Sequence, residues 1–407
     1  MKCRHCSSNL EQPFLDLGVA PPSNAYLMPE NVKSAEIWYP LRLMVCNECW
    51  LVQTEDYADC DELFTDEYAY FSSTSKSWLA HAEDYVEKMV ARFHLSQNST
   101  VVEIAANDGY LLQYVNKHGV PCYGIEPTSS TAEAAREKGV EIIEEFFGAS
   151  LAQSLVRQGR LADLIAANNV LAHVPDINDF VAGFACLLKP EGVATFEFPH
   201  LLKMVQQAQF DTAYHEHYSY LSLTTVSRIF ESNGLKVFDV EELPTHGGSL
   251  RVFAQRQDCI RKPLPSVNTI LDEESSAGMS SSGFYSGFQK AAERVKNDLL
   301  EFLLRVKKEG KTVAAYGAAA KGNTLLNFAG VKPDLLPFVC DAAKAKQEKF
   351  LPGSHIPILP PEALEENRPD YILVLPWNIV SEVKKQLSFL HEEGSRFVTA
   401  APRLEIS

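Results

Sequence analysis

The chain has 407 residues, more than one compact core usually accommodates, so we expect two or three domains. It contains no window of about 18 uninterrupted apolar residues, and its start, MKCRHCSS, lacks the apolar stretch of a signal peptide. We therefore expect a cytoplasmic protein without a membrane segment. The 53 acidic and 37 basic residues give a net charge of −16, which argues against nucleic acid or an anionic membrane as a partner.

Residues 1–65 form the first predicted domain, which is too short and too polar to be stabilised by burial alone. Disulfides are not expected in a cytoplasmic chain, yet this segment holds two CxxC pairs. Four thiolates at this spacing suit tetrahedral Zn²⁺ and leave no open position, so we expect structural zinc. The alternative is two pairs of buried thiols without a metal, and His5 is a spare ligand. The predicted ligands are Cys3, Cys6, Cys46 and Cys49.

The second predicted domain covers residues 66–258 and includes an amphipathic helix at 78–93. Strand-like runs then alternate with helical ones, which favours an α/β fold with a doubly wound parallel sheet between two layers of helices. The last two strands are closer together and fit an antiparallel pair. The predicted strands are 101–105, 122–126, 140–143, 162–168, 193–198, 236–240 and 249–254.

The third predicted domain covers residues 259–407. It begins with a predicted linker at 261–283, where prolines and a tract rich in Ser and Gly occur. A long helix over roughly 284–308 follows. A second, smaller α/β unit is then predicted from strand-like runs at 312–317, 335–340, 371–376 and 396–400.

The segment VVEIAANDGYLL at 101–112 is a strand that runs into a turn of small residues and then a helix. Such a turn lets a ligand approach the backbone at the carboxyl end of the first strand. The pattern GxGxxG is absent, which argues against NAD, whereas an acid at the end of the second strand suits a ribose diol. Together these features favour S-adenosylmethionine; a domain without a cofactor is the alternative. The predicted cofactor contacts are Glu103, Ala105, Asn107, Gly109 and Glu126.

The segment NNVLAHVPD at 168–176 follows the fourth strand, so it also falls at the carboxyl edge of the predicted sheet. Asn168 ends that strand and is a further predicted cofactor contact. His173 lies in the loop beyond it, where a structural and a catalytic role are equally open.

The segment AYHEHYSYLSL at 213–223 follows the fifth strand. A metal site is not favoured, because the zinc motif HExxH separates its histidines by a helical turn. Acid–base chemistry fits better: a neutral His accepts a proton, a Glu orients it, and a Tyr donates to a developing oxyanion. A loop of aromatic residues over the core is the alternative, but it gives no reason for the HisGluHis cluster.

Two segments suit an anionic group of a substrate. AAYGAAAKGNTLLN at 314–327 is not a P-loop, yet its small residues and its Lys suit a diphosphate. Close packing of helix on sheet is the alternative. THGGSLRV at 245–252 adds an Arg beside a glycine pair. The predicted substrate contacts here are Lys321, Asn323 and Arg251.

Taken in order, the CxxC pairs, EIAANDGYLL, NNVLAHVPD, EFPHL, YHEHYSYLS, THGGSLRV and AAYGAAAKGN resemble the sugar-nucleotide C-methyltransferases of branched deoxysugar biosynthesis. The resemblance covers nearly the whole chain. It implies a class I methyltransferase domain that binds S-adenosylmethionine, a zinc-binding domain before it and a Rossmann-like α/β domain after it. It also implies a dTDP-4-keto-deoxysugar substrate, from which a base removes the proton beside the ketone before the enolate attacks the sulfonium methyl.

The resemblance also implies roles for the residues of YHEH. His217 is the implied base, Glu216 its partner and Tyr214 a further catalytic residue, whereas spacing alone does not choose between His215 and His217. His215 is then a predicted substrate contact.

Further catalytic positions implied by the resemblance are His173 and a tyrosine of EYAYFSS. Tyr68 is the predicted catalytic tyrosine and Tyr70 the predicted substrate contact, although their order is open. Two alternative functions remain: an O- or N-methyltransferase that uses the same His on a hydroxyl or amine, and a zinc-stabilised nucleotide-binding protein without chemistry. The sugar, the methylated carbon and the oligomeric state stay open.

Overall fold

The computed structural model describes residues 1–55 and 71–407, and within them three β-sheets organise the chain. No helix in these two ranges is long and apolar enough to cross a bilayer. The strands are β1 (Gln12–Ala20), β2 (Tyr39–Val45), β3 (Val52–Thr54), β4 (Val101–Ile104), β5 (Cys122–Ile125), β6 (Ile142–Ile143), β7 (Ala162–Asn168), β8 (Leu188–Pro199), β9 (Ser219–Tyr220), β10 (Leu235–Leu243), β11 (Ser249–Arg256), β12 (Val313–Tyr316), β13 (Val339–Cys340), β14 (Ile358–Leu359), β15 (Tyr371–Val374), β16 (Arg396–Thr399) and β17 (Glu405–Ile406).

Helices cover the sheets and connect their strands. They are α1 (Lys76–Phe93), α2 (Leu112–Lys117), α3 (Ser129–Glu137), α4 (Ala149–Arg157), α5 (Ile177–Leu187), α6 (Leu201–Gln206), α7 (Leu223–Ser232), α8 (Pro265–Ser276), α9 (Ser282–Tyr285), α10 (Phe288–Lys308), α11 (Ala320–Ala329), α12 (Glu362–Asn367), α13 (Val380–Gln386) and α14 (Ser388–Glu392). The helix predicted at 78–93 is α1, which buries Ala82, Tyr85, Val86 and Met89 on one face.

The N-terminal sheet has the order β1-β2-β3-β9, with antiparallel neighbours. Along β2 the apolar Leu41 and Leu43 are buried while Arg42 between them is partly exposed, as the alternation of a half-buried strand requires. Strand β9 belongs to the segment AYHEHYSYLSL, and Tyr220 pairs with Val52 of β3. The N-terminal sheet therefore holds the end of that segment.

The central sheet has the order β10-β11-β8-β7-β4-β5-β6. Strands β4 to β8 run parallel, and β11 is antiparallel to both of its neighbours. The predicted parallel sheet with an added antiparallel pair is confirmed. Strand β7 buries every residue from Leu164 to Asn168, because helices cover both faces of the sheet.

The C-terminal sheet has the order β14-β13-β12-β15-β16-β17, with only β17 antiparallel. The apolar core beside it also contains residues of the N-terminal sheet, and the ring of Phe14 stacks on that of Phe288 with centroids 4.7 Å apart. The first and last sheets thus share one core and enclose the edge of the central sheet.

The prediction of a linker at 261–283 is wrong, because most of this segment is helical. Pro265 occupies the first turn of α8, where a proline favours a helix since its missing N–H needs no partner. Glu274 of α8 is fully buried and accepts hydrogen bonds from the Leu223 and Thr224 amides at 2.6 and 2.8 Å. The segment therefore packs on the central domain, where it caps the start of α7.

Candidate active site

A cavity of about 440 Å³ lies at the carboxyl edge of the central sheet, a volume within the range of small-molecule sites. Its wall combines Asn24 of the N-terminal segment, Glu126 and His217 of the central domain, and Lys321 and Asn378 of the C-terminal domain. All three parts of the chain therefore contribute to one site.

The first and second strands of the central sheet form one end of this cavity. The Glu126 carboxylate accepts hydrogen bonds from the backbone N–H groups of Asn107 and Thr128, both at 3.0 Å. Ala105 and Asn107 have φ angles of 56° and 49°, a left-handed conformation that glycine more often adopts. The turn is thus folded as a ligand-binding turn requires and presents a fixed carboxylate to the cavity.

The other predicted cofactor contacts divide into two groups. Asn168 lines the cavity, and its buried Oδ1 has no hydrogen-bond partner among the described residues. Glu103 and Gly109 are not among the described lining residues. Burial raises the pKa of Glu103 well above its usual value, and a Cβ at Gly109 would lie 3.2 Å from Ala135. Glu103 and Gly109 therefore support the turn without lining the cavity.

His217 lies in the cavity wall with its imidazole fixed by the backbone. Its Nδ1–H donates to the Thr212 carbonyl at 3.0 Å, which leaves Nε2 as the basic nitrogen. Burial, followed by the neighbouring His173, lowers the pKa of His217 well below its ordinary value. The ring of Tyr214 is only 3.9 Å from that of His217, centroid to centroid. A neutral imidazole and a phenol thus share the wall.

His215 is held elsewhere. Its Nε2–H donates to the Tyr39 carbonyl at 3.3 Å, and it is not among the described residues that line the cavity. The geometry thus separates the two histidines that spacing could not distinguish, and it does not place His215 in contact with a substrate in this cavity.

The predicted partnership between Glu216 and His217 is not seen, because the Thr212 carbonyl orients the ring. The Glu216 carboxylate accepts instead from Asn24 Nδ2 at 3.1 Å, and burial raises its pKa. The Glu216 carbonyl accepts from His173 Nδ1 at 2.9 Å, and burial lowers the pKa of His173 to about 4. Glu216 thus supports the loop through Asn24 and His173.

Of the predicted anion contacts, only Lys321 lines the cavity. Arg251 is the cross-strand partner of Glu197, and its guanidinium donates to that carboxylate at 2.8 Å within the buried sheet. Asn323 is also buried and donates to the Ser23 carbonyl at 3.2 Å. The predicted substrate contact of Arg251 is therefore replaced by an internal ion pair, and that of Asn323 by a bond between domains.

The predicted Tyr68 and Tyr70 lie outside the described residues. Conversely, sequence reasoning missed Asn24, Trp78 and His246, which all line the cavity. His246 precedes the glycine pair of THGGSLRV, so that motif offered a signal for it. No comparable signal marks Asn24 or Trp78 in the sequence, since Asn24 lies in a turn and Trp78 at the start of a helix.

The four predicted cysteine ligands converge in the N-terminal segment. Their sulfurs all lie within 4.8 Å of one another, and Cys3–Cys49 and Cys6–Cys46 are each 3.5 Å apart. Tetrahedral zinc with Zn–S bonds of about 2.3 Å needs sulfurs about 3.8 Å apart, so the donor set fits. His5 is not a ligand here, because its Nδ1 lies 2.9 Å from the Asn178 side chain.

The cysteine cluster is connected through strand β3 to the loop that carries His217. Two of its cysteines lie in the turn between β2 and β3. At the end of β3, the Thr54 hydroxyl donates to the His217 carbonyl at 2.5 Å and the Thr54 N–H to the Tyr218 carbonyl at 3.2 Å. The metal site can therefore hold the loop that carries His217 in place through β3, although none of the four cysteines lines the cavity.

Three family models match successive parts of the chain. They describe a zinc binding domain over residues 3–64, a methyltransferase domain over 78–240 and a C-methyltransferase C-terminal domain over 244–402. The last match begins before β11, which is part of the central sheet, so it crosses from one sheet to the next.

Individual proteins show the same relationship. The chain is 35% identical to the C-methyltransferase NovU of Streptomyces niveus over 401 residues, which is 98% of this chain and 95% of that protein. It is 26% identical to the ubiquinone biosynthesis O-methyltransferase of Bartonella quintana (strain Toulouse) over 98 residues, 24% of this chain and 40% of that protein. The crystal structure of magnesium protoporphyrin IX methyltransferase from Synechocystis PCC 6803 is 17% identical, with a TM-score of 0.34 over 44% of this chain and 79% of that one.

The match to a C-methyltransferase over almost the full length of both chains agrees with the arrangement of the three sheets and the four cysteines. The chain therefore belongs to the C-methyltransferase family and is an S-adenosylmethionine-dependent enzyme with an N-terminal zinc-binding domain.

Proposed function

We propose that this enzyme methylates a dTDP-linked 4-keto-deoxysugar on the carbon beside its ketone, in the cytoplasm, with His217 as the base. One observation carries the proposal: Glu126 of the central domain, His217 of the loop after the fifth parallel strand and Lys321 of the C-terminal domain all line a single cavity. Glu126 suits the methyl donor, His217 suits the acidic carbon beside the ketone, and Lys321 suits the anionic diphosphate of the substrate.

At the cofactor end, Glu126 is the proposed acceptor of the two ribose hydroxyls. Its carboxylate is held by two backbone N–H groups and still faces the cavity, so it can accept further hydrogen bonds. Asn168 Oδ1, which lacks a partner among the described residues, is the proposed acceptor for the amino group of the cofactor. S-adenosylmethionine supplies a methyl group on a sulfonium, and these residues orient it towards His217.

At the reacting carbon, His217 Nε2 removes the proton beside the ketone. The lowered pKa keeps the ring neutral, and therefore competent as a base, at pH 7. The same shift makes it a weak base, so the enolate oxygen needs stabilisation before the proton can leave. Tyr214, whose ring contacts that of His217, is the proposed hydrogen-bond donor to the enolate.

At the far end, Lys321 is the proposed contact for the diphosphate of the substrate. It lies in the first turn of α11, where unpaired backbone N–H groups and the helix dipole also favour an anion. Its Nζ lies 3.3 Å from Asn378 Oδ1, and both residues line the cavity. Burial lowers the pKa of Lys321, and a diphosphate beside it would favour the charged form of the amine.

Product analysis tests the proposed reaction. The enzyme is incubated with S-adenosylmethionine carrying a ¹³C methyl group and with dTDP-4-keto-6-deoxyglucose, and the product is examined by NMR. We expect the labelled methyl group on a ring carbon next to the ketone, identified by long-range proton–carbon correlations between the methyl group and the ring. A label on oxygen or nitrogen would instead support the O- or N-methyltransferase, and transfer to no position would remove this sugar class as the substrate.

A further inference from the structure

The indole of Trp377 connects the C-terminal domain to the loop that carries His217. Its Nε1–H donates to Asp211 Oδ2 at 2.7 Å, and Asp211 is completely buried. The next residue, Thr212, provides the carbonyl that accepts from His217 Nδ1 at 3.0 Å. The hydrogen bond of Trp377 thus ends one peptide away from the group that orients the imidazole.

Trp377 is itself held in place by neighbours from two other elements. A Cβ at Gly247 would overlap the indole ring, so the backbone of THGGSLRV can approach Trp377 only because Gly247 has no side chain. The Lys321 ammonium lies 4.7 Å from the centre of the indole ring. The indole is therefore fixed by the same segments that form the cavity wall.

The indole of Trp377 is the side-chain donor that holds the Asp211 carboxylate. Among the described residues no other side chain donates a hydrogen bond to its carboxylate, and its Oδ1 is buried without a partner. Burial raises the pKa of Asp211 to about 6, with the charge of Lys321 acting against that rise. Without the indole N–H, the buried carboxylate loses a hydrogen bond that favours its charged form and its present position, so the adjoining Thr212 peptide is less firmly held.

We infer that Trp377 is a positioning residue for methyl transfer: through Asp211 it fixes the Thr212 carbonyl, which in turn holds His217 with Nε2 as the basic nitrogen. This inference rests on the proposed role of His217 as the base. It assigns to the C-terminal domain a part in the proton-transfer step, in addition to its proposed contact with the diphosphate.

The decisive variant is Trp377→Phe, which keeps an aromatic ring but lacks the N–H. With dTDP-4-keto-6-deoxyglucose as the acceptor, we expect kcat to fall roughly tenfold, as for a lost hydrogen bond to a charged group. The rate of deuterium exchange beside the ketone, measured with S-adenosylhomocysteine bound, should fall by the same factor. The Kd of S-adenosylhomocysteine should stay within about twofold, since the bond that is removed goes to Asp211 and not to the proposed cofactor contacts Glu126 and Asn168. Trp38→Phe, at a residue 40% exposed, is the matched control.

Variants of Asp211 separate positioning from general packing. Asp211→Ala should lose as much exchange as Trp377→Phe, and the double variant no more than either, because both remove one interaction. Asp211→Asn keeps an acceptor for the indole and should retain most of the rate. An additive double variant, or Trp377→Phe with rates like the wild type, would overturn the inference.

A measurement without substrate keeps the two proposals distinguishable. In ¹⁵N NMR of the histidine rings, the Nδ1–H form of His217 should be present in the wild type and in Trp38→Phe, and be lost or averaged in Trp377→Phe. An unchanged His217 signal overturns the inference even if the sugar is not a substrate. A wild-type enzyme with neither exchange nor transfer contradicts the proposed function instead.

Discussion

Replacement of Glu126 by Gln should weaken cofactor binding by a calculable amount. The carboxylate accepts from two backbone N–H groups at 3.0 Å and still faces the cavity, whereas a Gln offers one oxygen and turns its NH₂ towards one of those donors. On the proposed role of Glu126 as the ribose acceptor, the variant therefore loses at least one hydrogen bond between a ribose hydroxyl and a charged acceptor. At about 2–3 kcal/mol this corresponds to a roughly 30- to 150-fold higher Kd.

Calorimetric titration with S-adenosylhomocysteine measures this effect directly. The matched control is Glu141→Gln, since Glu141 is an exposed carboxylate of the same domain that pairs with Arg160 at 2.8 Å on the surface. The control should bind S-adenosylhomocysteine like the wild type. If Glu126→Gln also binds within twofold of the wild type while remaining folded, the assignment of the ribose to this end of the cavity is refuted.

Three further perturbations have defined outcomes. Removal of zinc by a chelator should lower both Tm and kcat, because β3 connects the cysteine cluster to the loop that carries His217. Full activity in the metal-free protein would disprove that coupling. Arg251→Met should destabilise the fold by about 3–5 kcal/mol in urea unfolding, since it removes the guanidinium paired with the buried Glu197 and leaves that carboxylate only its bonds with His81 and Thr245. The KM of the sugar nucleotide should not change, whereas an increase would restore the predicted substrate contact of Arg251. Burial lowers the pKa of both His173 and His246 to about 4, so below about pH 6.5 the unfolded chain binds more protons than the folded one. The free energy of unfolding should therefore fall from about pH 6.5 towards pH 4, by up to about 1.4 kcal/mol per pH unit for each histidine. Urea unfolding at pH 7, 6 and 5 tests this, and a flat profile contradicts it.

The strands of the central sheet could be predicted because burial on both faces requires continuous apolar runs. ADLIAAN is such a run and forms β7, with Leu164 to Asn168 buried. The cysteine cluster was equally predictable, since the CxxC spacing states the ligand geometry locally. The helix α8 was not, because its prolines and serines suggest a linker, while the residue that anchors it, Glu274, acts through partners about 50 positions away.

Topology also predicted which segments would reach the site, because the carboxyl ends of parallel strands meet at one edge of the sheet. It could not predict which side chains turn inward. His217 lines the cavity and His215 does not, since the N-terminal sheet supplies the Tyr39 carbonyl that holds His215. The prediction that Arg251 contacts an anion has the same origin, since nothing near Arg251 in the sequence shows that Glu197 is its cross-strand partner.

The central claim is that His217 is the base. Deuterium exchange beside the ketone of dTDP-4-keto-6-deoxyglucose, measured with S-adenosylhomocysteine bound, isolates proton removal from methyl transfer. His217→Asn should fold, bind S-adenosylhomocysteine and lose exchange by a factor of about 10² or more, as for a missing general base, while His215→Asn should retain most of it. Exchange at the wild-type rate in His217→Asn would contradict the account.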